Sequence, residues 1–153
     1  MNNVHIHKTY EERIDDRMKK LIQIAFSYAI AGMAGGVFFR EFTKFNGFSG
    51  VTALGKVHTH LFMLGMVMFL IAALFADRLP LAQTKQFKGF LAVYNTGVIL
   101  TAVMMVVRGV FQVLGTELSK GADASISGMA DIGHILTGTG IVLFFLAVKK
   151  LVK

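Results

Sequence analysis

Four long apolar segments, separated by short polar connections, constrain the fold of this chain more than any other feature of its sequence. They cover residues 21–39, 57–76, 90–107 and 132–148. Each approaches the roughly 20 apolar residues with which an α-helix crosses the hydrocarbon core of a bilayer. The pattern therefore predicts an all-α fold: an integral membrane four-helix bundle that forms a single domain over residues 1–153.

The composition agrees with a membrane location. Hydrophobic residues make up 54% of the chain and charged residues 16%, whereas roughly 25% charged residues are typical of a soluble domain. The single proline gives no sign of a linker or a second domain. The absence of cysteine excludes disulfides and thiolate metal sites.

The N-terminal segment and the start of the fourth helix add detail to this prediction. Residues 1–20 are polar and lack the apolar core and cleavage site of a secretory signal, so the first apolar segment is expected to stay in the mature protein. His5 and His7 in this segment are expected to face solvent. An alternative start for the fourth helix lies near Ser125, with Ser127 as a candidate N-cap.

The distribution of Lys and Arg predicts the orientation of the bundle. Eleven of the 16 basic residues lie in the N-terminal segment, in the connection between the second and third helices, and at the C-terminus. Basic residues are enriched in cytoplasmic loops. Both termini are therefore predicted to be cytoplasmic, in a multi-pass protein of the cell (plasma) membrane. The other five basic residues are on the opposite side: Arg40, Lys44, Lys56, Arg108 and Lys120.

The charge pattern also limits the partners. A net charge of +7 is compatible with nucleic-acid binding, but the basic residues lie at helix ends, as expected beside anionic lipid headgroups. The predicted partner is the lipid bilayer and not nucleic acid. Glycines in the first and fourth segments allow close helix approach and a homo-oligomer, or leave room for a flat cofactor; they are Gly32, Gly35, Gly36, Gly138 and Gly140.

Ionisable residues near the outer ends of the segments are the candidate functional residues, because such groups are costly within a membrane and usually functional. Counting about 1.5 Å per residue from each cytoplasmic end places His134 roughly 22 Å up, His60 roughly 25 Å, His58 roughly 28 Å and the two arginines near 30 Å. Histidines on two helices thus lie at similar depth beneath arginines from the other two. The candidates are His58, His60, Asp131, His134, Arg40 and Arg108.

Structural roles are the alternative for several of these residues. Arg40 and Arg108 would then reach the interface and pair with acidic neighbours, and Asp131 would be an acid favoured by the dipole at a helix N-terminus. The nine methionines are ordinary apolar filling or, alternatively, soft metal ligands. The combination of His134 with histidines on a second helix favours a bound metal or metallo-cofactor.

Haem suits this combination best. Two imidazoles on facing helices can ligate one iron from both sides of the macrocycle, and the arginines suit its propionates. Without C-x-x-C-H the haem would be non-covalent haem b. A bare copper or zinc site would need a third or fourth ligand, and His58 and His60 cannot both serve one ion easily because they point about 200° apart.

Three runs resemble segments of two known families. KVHTHLFMLGMVMF, at residues 56–69, resembles the second helix of haem–copper oxidase and nitric oxide reductase catalytic subunits, which carries a low-spin haem ligand. The resemblance assigns that ligand to His58, although His60 stands where the oxidases usually have Asn and the copper-binding helices are absent. Together with YAIAGMAGG and REFTK, the run HTHLFMLG is similar to a family of small four-helix bacterial membrane proteins of unknown function.

The sequence therefore predicts a cytochrome b-like membrane protein for electron transfer or for haem sensing or handling near the outer face. The alternatives are a copper or zinc protein in metal handling and a non-catalytic structural subunit; catalysis and the redox partner stay open. His134 is one predicted ligand. His58 is preferred to His60 as the other, since Phe62, Gly65 and Phe69 continue its face with small and aromatic residues.

Overall fold

The computed structural model describes the backbone of residues 2–152 and the side chains of residues 16–152. Over this range every regular element of secondary structure is a helix. The side chains of His5 and His7 lie outside the described residues. The four long helices are α1 (Asn2–Phe45), α2 (Leu54–Arg78), α3 (Lys85–Leu114) and α4 (Lys120–Leu151).

Each of the four helices is long and apolar enough to cross a membrane, which confirms the predicted all-α membrane bundle. The helices are longer than the apolar segments because polar residues at both ends continue the same backbone hydrogen bonding. The orientation of the termini stays a prediction.

The boundaries of α3 and α4 follow from local hydrogen bonds. Thr84 caps α3, its Oγ1 accepting a 3.1 Å bond from the Phe87 amide, and Gly115 ends it with a left-handed φ of 62°. Ser119 caps α4, its Oγ accepting from the Ala122 amide at 3.2 Å. The prediction of Ser127 as the N-cap is therefore wrong: Ser127 lies inside α4.

A π-helical segment, Leu61–Val67, interrupts the α-helical hydrogen bonding of α2. Wider turns in this segment rotate the following residues relative to a regular helix. The rotation brings Phe69 against Tyr28 of α1 and Tyr94 of α3, with ring centroids 5.7 and 5.9 Å apart. The Tyr94 hydroxyl donates a 2.8 Å hydrogen bond to the Leu64 carbonyl oxygen within the segment.

Glycines set the close contact between α3 and α4. A Cβ atom on Gly97 would lie 2.5 Å from the Thr137 amide nitrogen, and one on Gly133 would lie 2.9 Å from the Thr101 nitrogen. A Cβ on Gly140 would similarly meet the backbone of Tyr94. The predicted role of Gly140 in close helix approach is thus confirmed, whereas Gly138 has open space beside it.

Glycines of α1 receive side chains of α2 in the same way. Gly32 lies against the Phe62 ring, Gly35 against Val57 and Gly36 against His58. The chain therefore forms two helical pairs, α1 with α2 and α3 with α4, joined by further contacts between α2 and α3. α2 also meets α4, where the ring centroids of Phe75 and Phe144 lie 5.8 Å apart.

An aromatic cluster fills the half of the bundle nearer the termini. Ring centroids of Phe90 and Phe144 are 5.1 Å apart, and those of Phe87 and Phe90 are 5.5 Å apart. Packing of this kind adds to the stability that area burial gives each ring. The cluster consists of Phe69, Phe87, Phe90, Tyr94 and Phe144, all of which are buried.

At the opposite end, the connection between α1 and α2 is tied to α3. The Thr52 hydroxyl donates a 3.0 Å bond to the Gly109 carbonyl oxygen, and the Ala53 amide donates a 2.7 Å bond to the Gln112 side chain. Gly109 also lets Leu54 approach closely. These contacts fix the height of α2 relative to α3, which positions the histidines of α2.

Candidate functional site

His134 lies on the side of α4 that is turned toward α2. Leu143, nine residues later and so about 180° around the helix, packs beside Gly89 of α3. Gly89 and Gly109 lie on opposite sides of α3, and α2 packs on the Gly109 side. Leu143 therefore lies on the side of α4 that is turned away from α2. His134, on the opposite side of α4, is turned toward α2. The His134 side chain is exposed there.

His60 lies on the side of α2 that is turned away from α1. His58, two residues earlier and on nearly the opposite face, packs against Gly36 of α1. Farther along α2, Phe75 faces α4, with its ring centroid 5.8 Å from that of Phe144. Helical spacing therefore turns both His60 and His134 toward the side on which α2 and α4 face each other, which we call the α2–α4 groove.

The two histidines also lie at similar depth. Leu54 meets Gly109 near the Leu114 end of α3, which we call its outer end, and Gly133 meets Thr101 about two turns nearer the other end. His60 lies about 9 Å inward of Leu54, and Thr101 lies about 12 Å inward of Gly109. Because His134 follows Gly133 directly, the backbones of the two histidines differ in depth by about 5 Å, the span of one helical turn.

Backbone hydrogen bonds hold both imidazoles in the form that suits metal ligation. His60 Nδ1 lies 2.9 Å from the Lys56 carbonyl oxygen, and His134 Nδ1 lies 2.8 Å from the Ala130 carbonyl oxygen. A carbonyl oxygen can only accept, so Nδ1 carries the proton in each bond. The lone pair is then on Nε2, which is the usual arrangement of a metal-ligating histidine.

His58 has different surroundings. Its ring packs edge-on to Phe62, with centroids 6.5 Å apart, and Gly36 of α1 lies beside its Cβ. Its Nδ1 is buried without a hydrogen-bond partner among the described residues. The sequence predicts that the face of α2 bearing His58 admits a neighbouring helix or a flat ring. In the structure a helix, α1, packs on this face.

Arg108 belongs to the α2–α4 groove because its partners share a face with His134. Its guanidinium lies 3.0 Å from the Asp123 carboxylate and donates a 2.7 Å bond to the Ser127 hydroxyl. Asp123, Ser127 and His134 follow one another at helical spacing along α4. Arg108 thus lies about two turns, or roughly 10 Å, outward of His134 on the same stripe.

The other two predicted site residues lie elsewhere. Arg40 is one turn outward of Gly36 on α1 and so belongs to the His58 side; its side chain is 81% exposed and lies 3.8 Å from Glu41. Asp131 is exposed on α4. The structure therefore does not bring Arg40 and Arg108 to one place.

The role of Asp123 and Ser127 beside Arg108 was not predicted from the sequence. Asp123 and Ser127 hold Arg108 in place, yet the sequence predicts Asp123 in a connection and Ser127 only as a possible N-cap. Their spacing to His134 is the signal that could have found them, since positions 123, 127, 130 and 134 form one helical stripe. Over residues 16–152 there is no group of three or more His, Cys, Asp or Glu side chains that could hold a metal.

These features define a small helical membrane protein whose His60 and His134 lie in the half of the bundle farther from the described ends of the chain. The chain belongs to the DUF2871 family, described as a protein of unknown function, whose model matches residues 18–151. Neither the curated proteins nor the solved structures compared with the chain gave a match. The family match carries no oxidase activity, and the likeness of residues 56–69 to oxidase helices stays a resemblance.

Proposed function

We propose that this chain is a b-type haem protein of the plasma membrane, with His60 and His134 as axial ligands across the α2–α4 groove. The observation that carries the proposal is the pair of Nδ1 bonds to Lys56 and Ala130. They fix two imidazoles on facing flanks, at similar depth, with Nε2 free to ligate. His60 replaces His58 as the preferred partner of His134, because His58 packs on α1.

The number of ligands favours haem over a bare metal ion. Copper or zinc held only by side chains needs three or four close donors, and residues 16–152 contain no such group of His, Cys, Asp or Glu. Haem would bring four nitrogen ligands of its own, so two histidines would complete the coordination. The copper or zinc alternative would need a methionine sulfur or a donor from outside these residues.

Arg108 is the residue that would meet the haem propionates. It lies outward of His134 on the same stripe, and its side chain is 31% exposed. A guanidinium forms charge-assisted bonds with carboxylates, while Asp123 and Ser127 hold it over the groove. Arg40 lies on the other flank of α2 and has no role in this site.

Electron transfer is the function that two axial histidines favour. With both axial positions filled, no open position remains for binding a gas. The residues of the chain would hold the cofactor, set its orientation and exclude water from the groove. Haem handling is the second possibility, because the groove opens to the side of the bundle where a cofactor could enter or leave.

An absorption spectrum of the purified protein tests the proposal. We expect a strong Soret band and low-spin bands, which His60→Ala and His134→Ala each abolish while the protein still inserts and stays helical. His58→Ala is the matched control on the same helix and should leave the spectrum unchanged. A spectrum lost in His58→Ala but retained in His60→Ala would contradict the ligand assignment.

A protein without a Soret band after reconstitution with haem would contradict the proposal as a whole. Elemental analysis of the same sample distinguishes the alternatives. Bound copper or zinc that is lost in His134→Ala would support a metal-handling protein. A sample with neither haem nor metal, whose histidine variants lose only stability, would support a structural subunit.

A further inference from the structure

Two neighbouring cavities on the α1 side of the bundle meet at one shared lining residue. The larger, of about 580 Å³, lies between α1, α2 and α3 and is lined almost entirely by apolar side chains. The smaller, of about 270 Å³, lies at the end of the bundle nearer the termini. Ile24 lines both cavities. We call the two cavities together the α1–α3 groove.

Basic residues surround the end of the α1–α3 groove nearest the termini. Arg17 and Lys20 of α1 and Lys88 of α3 line the smaller cavity together with apolar side chains such as Leu21 and Leu91. All three basic side chains are exposed. Basic pockets between membrane helices at the membrane surface attract anionic lipid headgroups, with about 1 kcal/mol for each Lys or Arg near the surface.

The rest of the groove suits a hydrocarbon chain. One leaflet contributes about 15 Å of hydrocarbon depth, half of the roughly 30 Å core, which corresponds to about ten helical residues. Counted from Lys20, this depth ends near Ala31, the last residue of α1 that lines the larger cavity. On α3 the lining continues to Val107, so the apolar wall is longer than one leaflet and an acyl chain would occupy only its part nearer the basic residues. The main polar contact in the wall is satisfied, since the Tyr28 hydroxyl donates a 2.6 Å bond to Asn95.

We propose that the α1–α3 groove binds an anionic phospholipid, with its phosphate among Arg17, Lys20 and Lys88 and one acyl chain running past Ile24 to Ala31. Charge at the mouth and an apolar wall long enough for one acyl chain carry this inference. It does not depend on haem binding, because the α1–α3 and α2–α4 grooves lie on different sides of α2.

Native mass spectrometry of the full chain tests the proposal with phosphatidylglycerol and phosphatidylcholine of identical acyl chains. We expect phosphatidylglycerol to be retained preferentially. The double variant Lys20→Gln/Lys88→Gln should weaken its binding about tenfold to thirtyfold. Lys149→Gln/Lys150→Gln is the matched control, because it removes the same charge at the same end of the bundle, away from the groove.

A second variant separates the acyl chain from the headgroup. Ala31→Phe fills the upper part of the groove at an exposed position and should weaken phosphatidylglycerol binding without any change of charge. Equal retention of both lipids, or equal loss in the two Gln pairs, would overturn the proposal. So would an isoprenoid quinone or a second copy of this chain in place of the lipid in the wild-type spectrum.

Discussion

The hydroxyl of Tyr94 donates its hydrogen bond to the carbonyl oxygen of Leu64, a backbone group inside the π-helical segment of α2. π-Helical hydrogen bonding changes which carbonyl groups are used within a helix, and Tyr94 satisfies this one from α3. Leu64 lies four residues inward of His60, so the bond holds the turn of α2 that presents His60 to the α2–α4 groove.

Loss of the Tyr94 hydroxyl should disturb both stability and the haem site. In Tyr94→Phe the ring still packs, but the Leu64 carbonyl oxygen loses the hydrogen bond from α3. We expect unfolding to become easier by about 1 kcal/mol, the usual range for one hydrogen bond in water or within a membrane. We also expect weaker haem retention and a shifted low-spin spectrum, because His60 is less firmly oriented.

Tyr28→Phe is the control for this prediction. It removes a hydrogen bond of similar length, to Asn95, on the α1 side of the bundle. Thermal denaturation should show a loss similar to that of Tyr94→Phe, with an unchanged haem spectrum. Equal spectral shifts in the two variants would mean that Tyr94 acts only through general stability.

The contact of α3 with α4 should be sensitive to a single methyl group at Gly133. A Cβ atom there would lie 2.5 Å from the Thr101 hydroxyl oxygen, and overpacking of this kind costs about 1–3 kcal/mol. The cost outweighs the gain of up to about 1 kcal/mol that alanine gives a helix interior over glycine. Gly133→Ala should therefore lower the unfolding temperature in a detergent-solubilised thermal melt.

Gly138→Ala is the matched control on the same helix, since no atom lies within 4 Å of a Cβ at Gly138. Its unfolding temperature should stay equal to that of the wild type or rise slightly, because only the helix-propensity gain remains. Equal destabilisation by the two substitutions would indicate that α4 packs through a different face.

Arg108 and Arg40 should differ in their effect on the haem potential. Arg108 lies roughly 10 Å outward of His134, and a cation at about that distance from a haem iron would favour the reduced, less positive state, so Arg108→Gln should lower the midpoint potential. At an effective dielectric constant of about 20, the change is on the order of 70 mV. Spectroscopic redox titration measures it, and Arg40→Gln, on the other flank of α2, should leave the potential close to that of the wild type.

The orientation of the bundle is open to a direct measurement. Reporter fusions after Arg78 and at the C-terminus should both give a cytoplasmic signal, because eleven of the 16 basic residues lie on that side. A fusion in the connection between α3 and α4, for example after Thr116, should give the opposite signal. A cytoplasmic signal there would contradict the four-span topology.

Apolar length was sufficient to predict the four helices, and the polar stripe of α4 shows why their ends were harder to predict. Asp123 and Ser127 lie outside the apolar segment, yet the helix begins at Lys120, because Ser119 caps it and Arg108 pairs with its first turns. The hydropathy of the sequence does not reveal an ion pair between two helices such as that of Arg108 with Asp123. Residue type alone identified His60, His134 and Arg108 as candidates.

The choice between His58 and His60 depended on information that periodicity does not contain. The Phe62, Gly65 and Phe69 stripe correctly indicated a face that admits a neighbour, but periodicity does not say which helix that neighbour is. The π-helical segment adds to this difficulty. It changes the facing of residues beyond Leu61, and its backbone angles at either end are ordinary helical values.

The aromatic cluster and the α2–α4 groove lie in different halves of the bundle, so local opening should cost unequal amounts along the helices. Buried rings near the termini link α2, α3 and α4, whereas at the depth of His134 the close contact is the one between α3 and α4. Amide hydrogens around Phe90 and Phe144 should then exchange with solvent deuterium only through global unfolding, and those around His134 through smaller fluctuations. A bound group could enter and leave the groove while the aromatic half stays folded.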